Sequence, residues 1–363
     1  PYNHSHMGNA RPFVTWDVIK RYLKHLGYAV THIQNFTDVD DKIINAANGE
    51  EVSWDTIANR YIASYFEVMD KLHIQRADKY PRVSEHMDDI IAMISKLIEN
   101  GHAYELDGDV YYRVQSFEHY GELSHRSLDD MMAGARIEVD DRKENPMDFA
   151  LWKAAKPSEP SWDSPWGKGR PGWHIECSAM SLKYLGEPFD FHGGGSDLIF
   201  PHHENEIAQT EACCNHGPMV NYWVHNGFIT IDSEKMSKSL NNFFLVKDVL
   251  EHYSPDALRY FLISNHYRSP LDFSDERLTE MTVRLLIILC GYWNSRRAEN
   301  PNYRLLYWPM RNVLWKILKR LCVMTSTRLL PVRPCLNWLR KSIFIRAKYR
   351  RTAYRQTVPS FRK

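Results

Sequence analysis

Between residues 9 and 26 the apolar positions Val18, Ile19, Tyr22, Leu23 and Leu26 recur three and four apart, and Gly27 ends the run, which predicts a helix. Residues 28–35 then read as a strand. A second helix is predicted over 84–99, with Ser84 as its N-cap and Asn100-Gly101 as its terminator. Asp107-Gly108 separates two short strand-like runs, 103–106 and 109–114, as a hairpin turn does. Pro, Trp and Gly crowd residues 157–172 and mark a junction. Beyond it come a helix over 173–185, a strand over 189–192 entering a glycine turn at 193–195, and a helix over 201–213. A strand over 222–231 follows, leading to a polar loop at 232–242. Strands alternating with helices predict an α/β fold, a doubly wound parallel sheet interrupted by an inserted unit near 75–165.

Composition narrows the picture. With 363 residues, 44% hydrophobic and 25% charged, the chain has the make-up of a soluble globular protein with room for a sizeable core. No apolar run approaches the roughly 20 residues that span a bilayer, and no signal peptide is visible, so no membrane partner is expected. The chain begins at Pro1, from which we expect a native N-terminus further upstream. Six cysteines in a chain this long read as reduced thiols of a cytoplasmic protein. Charge is unevenly spread: residues 286–363 hold 18 Lys/Arg against one acid, Glu299, so this segment carries +17 and the remainder −16.

Four constellations carry candidate chemistry. His6-Met7-Gly8-Asn9 opens the first helix, where unpaired N–H groups and the positive end of the helix dipole suit a polyphosphate. Gly8 lets a ligand approach the backbone and His6 adds a donor or a cation. Taken alone, such a tetrapeptide fits an ordinary surface loop better than a phosphate site. Lys235-Met236-Ser237-Lys238-Ser239 lies in a polar loop after a strand, and its lysines suit a loop that closes on a phosphate chain. Cys177, His202 and Glu206 form the third group. His202 and Glu206 are four apart on one helix face, and a thiolate, an imidazole and a carboxylate together suit zinc better than magnesium or calcium. His203 and Cys213 are competing ligands on spacing alone. In the fourth, Gly193-Gly194-Gly195-Ser196-Asp197, glycines at a strand end leave room for an adenosine and the carboxylate can accept from ribose hydroxyls. A tight turn capped by Asp197 is the alternative there.

The order of H-x-G-N at the first βα turn, a central insertion and K-M-S-K-S after the last core strand resembles the class I aminoacyl-tRNA synthetases. Residues 10–13, 35–43, 172–180 (G-W-H-I-E-C-S-A-M) and 191–209 (F-H-G-G-G-S-D-L-I-F-P-H-H-E-N-E-I-A-Q) narrow the resemblance to the cysteinyl-tRNA synthetase family, over roughly residues 1–284. The resemblance implies a Rossmann-like core, with 1–74 its first half, 75–168 a connective insertion, 169–245 its second half with the lysine loop, and 246–284 a helical stem-contact region. It implies activation of L-cysteine with ATP and Mg²⁺ and transfer to tRNA(Cys), by a monomer. His6, Asn9, Lys235 and Lys238 take the catalytic positions. His6, Gly8, Asn9, Gly194, Asp197 and Lys238 bind ATP, and Trp173 walls the substrate pocket. Cys177, His202 and Glu206 match the family's zinc ligands.

Two departures accompany the resemblance. Asn9 stands where the family has His, keeping a donor but losing a possible cation. The fourth zinc ligand, a cysteine in a C-G-x-T-x-Y segment whose tyrosine corresponds to Tyr2, falls four residues before Pro1, and the first core strand is expected there too. Past about Arg284 the similarity fades. The basic segment 285–363 reads either as an arm that grips tRNA phosphates or as translation in a shifted frame, and its composition favours the second. A mycothiol-pathway cysteine ligase and an impaired RNA-binding remnant are the alternative functions.

Overall fold

The computed structural model describes residues 1–127, 142–157, 159–214, 217–231, 234–235 and 244–299, with the backbone alone at 234–235 and 290–299. By contacts the chain divides into Pro1–Val283 and Arg284–Lys363. All of the basic segment past residue 299 lies outside the described residues. No helix among the described residues is long and apolar enough to cross a membrane.

Helix α1 (Met7–His25) forms over the predicted span, but its apolar stripe faces outward. Val18, Tyr22 and Leu26 are exposed, whereas Met7, Ala10, Arg11, Val14, Thr15, Asp17 and Lys20 are buried. Met7, Ala10 and Val14 join the hydrophobic core, while Arg11, Asp17 and Lys20 meet polar backbone, which apolar side chains could not satisfy. Asp17 is typical of that face. It accepts from the Gln75 backbone N–H (2.8 Å), Arg21 Nε (2.8 Å) and Arg259 Nη2 (2.6 Å). Burial pushes its pKa up, but these bonds outweigh burial and hold it below the usual value. A carboxyl depressed in the folded state contributes stability that is present above its unfolded pKa and lost as pH falls through the folded one. Asp17→Asn is therefore expected to cost about 3 kcal/mol at pH 7. The deficit against the parent should shrink below pH ~4, as denaturant titration at both pH values would show.

The expected strand over 28–35 does not form a ladder. It makes parallel bridges only at Ile33–Lys79 and Phe36–Arg82. Gln34 N–H donates to Lys79 O and Phe36 N–H to Pro81 O, while His32 O accepts from Asp78 and Phe36 O from Val83. The return bond between these two would need an N–H at Pro81, which proline lacks.

After α2 (Asp41–Glu50) and α3 (Trp54–Lys71), helix α4 (Met87–Glu99) starts three residues later than expected. His86 is its N-cap, and Ser84 instead lies in a 3-10 turn, donating its hydroxyl to Asp38 (2.6 Å). Strands β1 (Ala103–Leu106), β2 (Asp109–Tyr112), β3 (Phe149–Ala154) and β4 (Gly169–Pro171) form an antiparallel sheet in that order. Asp107 and Gly108 both have positive φ, as the tight hairpin requires. This sheet packs with α4, α5 (Trp173–Leu185) and α6 (Glu204–Cys214) around Ile90, Ile94, Leu97, Trp152, Ile175 and Ala208.

Strands β5 (Phe189–Gly195) and β6 (Val220–Asn226) pair in parallel. The glycines are part of β5 rather than a turn, because Gly193, Gly194 and Gly195 stay in register with Val224, His225 and Asn226. The strand predicted over 222–231 is broken at Gly227. Its continuation β7 (Ile229–Ile231) joins β8 (Glu234–Lys235) and β9 (Leu271–Asp272) in another sheet. Helices α7 (Val246–His252), α8 (Pro255–Leu262, with Ser254 Oγ accepting from Ala257 N–H) and the start of α9 (Asp275–Glu299) close the core that surrounds α1 and α3.

Candidate metal centre and nucleotide site

Helix α5 carries Cys177, and α6 with the π turn that precedes it (Ile199–His203) carries His202 and Glu206. The two elements pack so that Cys177 Sγ, one imidazole nitrogen of His202 and one carboxylate oxygen of Glu206 lie within 4.8 Å of one another. Donor atoms of His192, His203 and Glu206 also lie within 4.8 Å of one another, so two candidate triads share Glu206. Cys213, the other competing thiol, belongs to the hydrophobic core around β1–β4.

Glu206 is fully buried. His202 Nε2 lies 2.9 Å from one of its oxygens and His192 Nε2 lies 3.0 Å from the other. Yet neither oxygen has a hydrogen bond of acceptable geometry, and His192 Nε2 has none either. Burial pushes Glu206 up, but the two imidazoles outweigh it and hold the carboxylate well below its usual range. Burial, and then Glu206 and Glu176, push the Cys177 thiol up. Buried polar atoms gathered without hydrogen-bond angles fit a cation, and a thiol, an imidazole and a carboxylate fit zinc by chemistry.

Neighbours orient the donors. His174 Nδ1 sits 2.8 Å from His202 Nδ1, which leaves His202 Nε2 turned to the cluster. Burial pushes His174 down to about 3, so its ring is neutral at physiological pH. The half-exposed Trp173 indole stacks on the His202 ring with centroids 4.2 Å apart. Asn35 Nδ2 donates to Cys177 Sγ at 3.5 Å. The motif stretches contain His174, His192 and Asn35, but spacing offers no hint that three separate segments converge on Glu206 and Cys177.

At the other expected site, His6 is the extended N-cap residue of α1. Asn9 turns its amide oxygen to the His6 backbone N–H (3.3 Å). A Cβ at Gly8 would press on the His6 imidazole at 3.0 Å. Met7 N–H donates to Phe244 O and Val246 N–H to Ser5 O, so the chain just past the lysine loop is stitched to the turn at His6. Lys235 ends β8, which pairs with β7; Lys238 lies outside the described residues. Gly194 is the next-to-last residue of β5, beside Leu198, and Asp197 is exposed in the 3-10 turn that follows.

Solved structures of similar fold are class I synthetases. Mycobacterium tuberculosis methionyl-tRNA synthetase in complex with methionyl-adenylate matches with a TM-score of 0.60 at 17% identity, over 77% of this chain and 65% of that one. A putative arginyl-tRNA synthetase from Campylobacter jejuni matches at 0.54 and 15%, over 82% of this chain and 69% of that one. The core is thus a Rossmann-like α/β fold. The profile of the tRNA synthetases class I (C) catalytic domain matches residues 1–283, and the chain belongs to that family. It is 63% identical over 277 residues to the cysteine–tRNA ligase of Desulforamulus reducens, covering 76% of this chain and 57% of that protein. With the cysteine–tRNA ligase of Heliobacterium modesticaldum the figure is 61% over 279 residues, covering 76% and 58%. The chain therefore spans under two thirds of the length of these relatives.

Proposed function

We propose that the protein is a cysteine–tRNA ligase, a monomer of the cytoplasm that activates L-cysteine with Mg²⁺-ATP and passes it to tRNA(Cys). The observation that carries this reading is the buried cluster of Cys177, His202 and Glu206, with Trp173 stacked at its solvent side. Those residues would hold zinc, with a further ligand from the segment expected upstream. Zinc supplies a Lewis acid that favours a thiolate, since a thiol near pKa ~8.5 ionises on a metal where an alcohol does not. Shape alone separates such similar substrates by only about 1–3 kcal/mol.

The residues around the cluster then position the reactants. Trp173 and the His202 ring wall the amino-acid pocket. The cysteine carboxylate attacks the α-phosphate of ATP, the bond to the β-phosphate breaks, and pyrophosphate leaves. His6, Gly8 and Asn9 at the start of α1 hold the phosphates, Gly194 and Asp197 border the nucleoside, and Lys235 and Lys238 meet charge building on the leaving group. A terminal ribose hydroxyl of tRNA next attacks the cysteinyl carbonyl, and AMP departs. No side chain is acylated; orientation and charge stabilisation supply the rate.

The test is cysteine-dependent ATP–pyrophosphate exchange in zinc-replete buffer, run on the protein and on a form extended upstream through the C-G-x-T-x-Y segment. Exchange by neither form would reject the assignment. Adding tRNA or a glucosamine-inositol acceptor separately distinguishes the ligase from a mycothiol-pathway enzyme. One prediction concerns the departure at Asn9. Asn9→His adds a possible cation beside the phosphates and is expected to raise the exchange kcat by about tenfold, with the KM for ATP changed less; an unchanged kcat would remove residue 9 from the transition-state contacts.

A further inference from the structure

Arg11 is fully buried, yet no carboxylate among the described residues faces it. Its guanidinium instead gathers backbone carbonyls from two distant stretches. Nη1 donates to Gly227 O (2.7 Å) and Phe228 O (3.3 Å), and Nη2 donates to His266 O (3.2 Å). Burial lowers its pKa to about 10, so the side chain stays charged at neutral pH. Burying a cation without an anion is costly. Carbonyl oxygens in an ordinary turn could be satisfied by smaller donors, so the fixed fork of arginine marks a place where geometry matters.

The connected elements say which geometry. Arg11 sits one turn into α1, just past His6, Gly8 and Asn9. Gly227 and Phe228 form the break between β6 and β7, and β7 leads through β8 to Lys235. That break is itself tightly built: a Cβ at Gly227 would meet the Arg268 and Ser269 carbonyls at about 2.5 Å. One turn further along α1, the Thr15 hydroxyl lies 2.8 Å from the Asn226 amide oxygen, and Asn226 Nδ2 donates to Gly194 O at 3.4 Å. Asn226 is buried as well. One helix face thus holds the root of the lysine hairpin through Arg11, and the end of the glycine strand through Thr15 and Asn226.

We propose that Arg11 is a positioning residue for phosphate chemistry, locking the helix that opens with His6-Gly8-Asn9 to the carbonyls at the root of β7, so that the two phosphate-handling segments keep a fixed spacing. The inference rests on the functional reading above. It places Thr15 and Asn226 in the same device, holding the glycine strand against the same helix. Because the arginine is fully buried against backbone carbonyls, its removal should leave ground-state binding nearly intact and act on the chemical step. Reacting groups misplaced by about 1 Å can lose on the order of 100-fold in rate.

The test is Arg11→Lys, which keeps the charge but replaces a planar fork with a single ammonium, measured by ATP–pyrophosphate exchange in zinc-replete buffer. Rates are normalised to active sites counted by the adenylate burst. The expected result is a kcat lowered about 10- to 100-fold, with the KM for ATP and for cysteine within about threefold of the parent. A merely structural arginine would reduce the number of active sites and the melting temperature but leave kcat per site unchanged, and that result overturns the proposal. If Arg11→Lys yields no folded protein, Thr15→Val decides: a lower kcat per site at constant KM supports the device, and an unchanged kcat overturns it. Exchange by neither the parent nor the form extended upstream overturns the functional reading and this inference together, whereas an active parent with an equally active Arg11→Lys overturns this inference alone.

Discussion

Cys177→Ser is expected to strip zinc from the protein and to end its preference for cysteine over serine. The sulfur is the only thiol in either candidate triad, and it lies within 4.8 Å of the His202 and Glu206 donor atoms. An alcohol at that position stays protonated and binds zinc poorly. Loss of an outer-shell partner typically costs 10–100-fold in metal affinity, so loss of the ligand itself should cost about 100-fold or more. Elemental analysis after dialysis should show zinc well below one per chain, and exchange assays should show similar kcat/KM for the two amino acids. Zinc retained at full occupancy with discrimination intact would mean that the cluster plays no part in substrate choice. His203→Ala helps to assign the triad: if zinc is bound through Cys177, His202 and Glu206, this variant retains it, whereas a centre built on His192, His203 and Glu206 loses it.

Gly193→Ala should be strongly disruptive to the core around β5. Gly193 pairs with Val224 in the parallel β5–β6 ladder, and a Cβ there would run into the Val224 carbonyl. Trp16 stands 3.0 Å from the same point on the side of α1. Neither neighbour is the loose end of a flexible chain, so the strands must separate. Overpacking of this kind costs typically 1–3 kcal/mol and sometimes more; with backbone as the obstacle, about 3 kcal/mol is expected. The separation also displaces His192, one residue before, from Glu206. Gly193→Ala should therefore lower both the denaturation midpoint and the zinc content. A variant as stable as the parent would show that β5 can shift without penalty.

The cysteine, histidine and glutamate of the metal cluster are legible in the chain, since His202 and Glu206 are one helical turn apart and the motif stretch supplies the thiol. What orders them is not legible. His174 turns the His202 ring and His192 approaches Glu206 from a neighbouring strand, and both depend on how α5, α6 and β5 pack. The glycines were visible as a close-approach signal, but a run of three reads as a turn in isolation. Only the partner strand β6 shows that they remain extended.

Local chemistry by itself determined the elements whose signals are complete within a few residues: α5 over Trp173–Leu185, the Asp107-Gly108 hairpin, and the helix that begins at Met7. Tertiary structure decided which face of a helix is inside and which strands exist. Helix α1 buries Arg11, Asp17 and Lys20 and exposes Val18 and Tyr22, against its apolar spacing. The partners of Arg11 are carbonyls at residues 227, 228 and 266, more than 200 positions away. The stretch near residue 33 makes bridges instead of a ladder because Pro81 has no N–H to return. Propensity acts over neighbouring residues, whereas the cost of an unsatisfied buried donor or acceptor is settled only when distant segments meet.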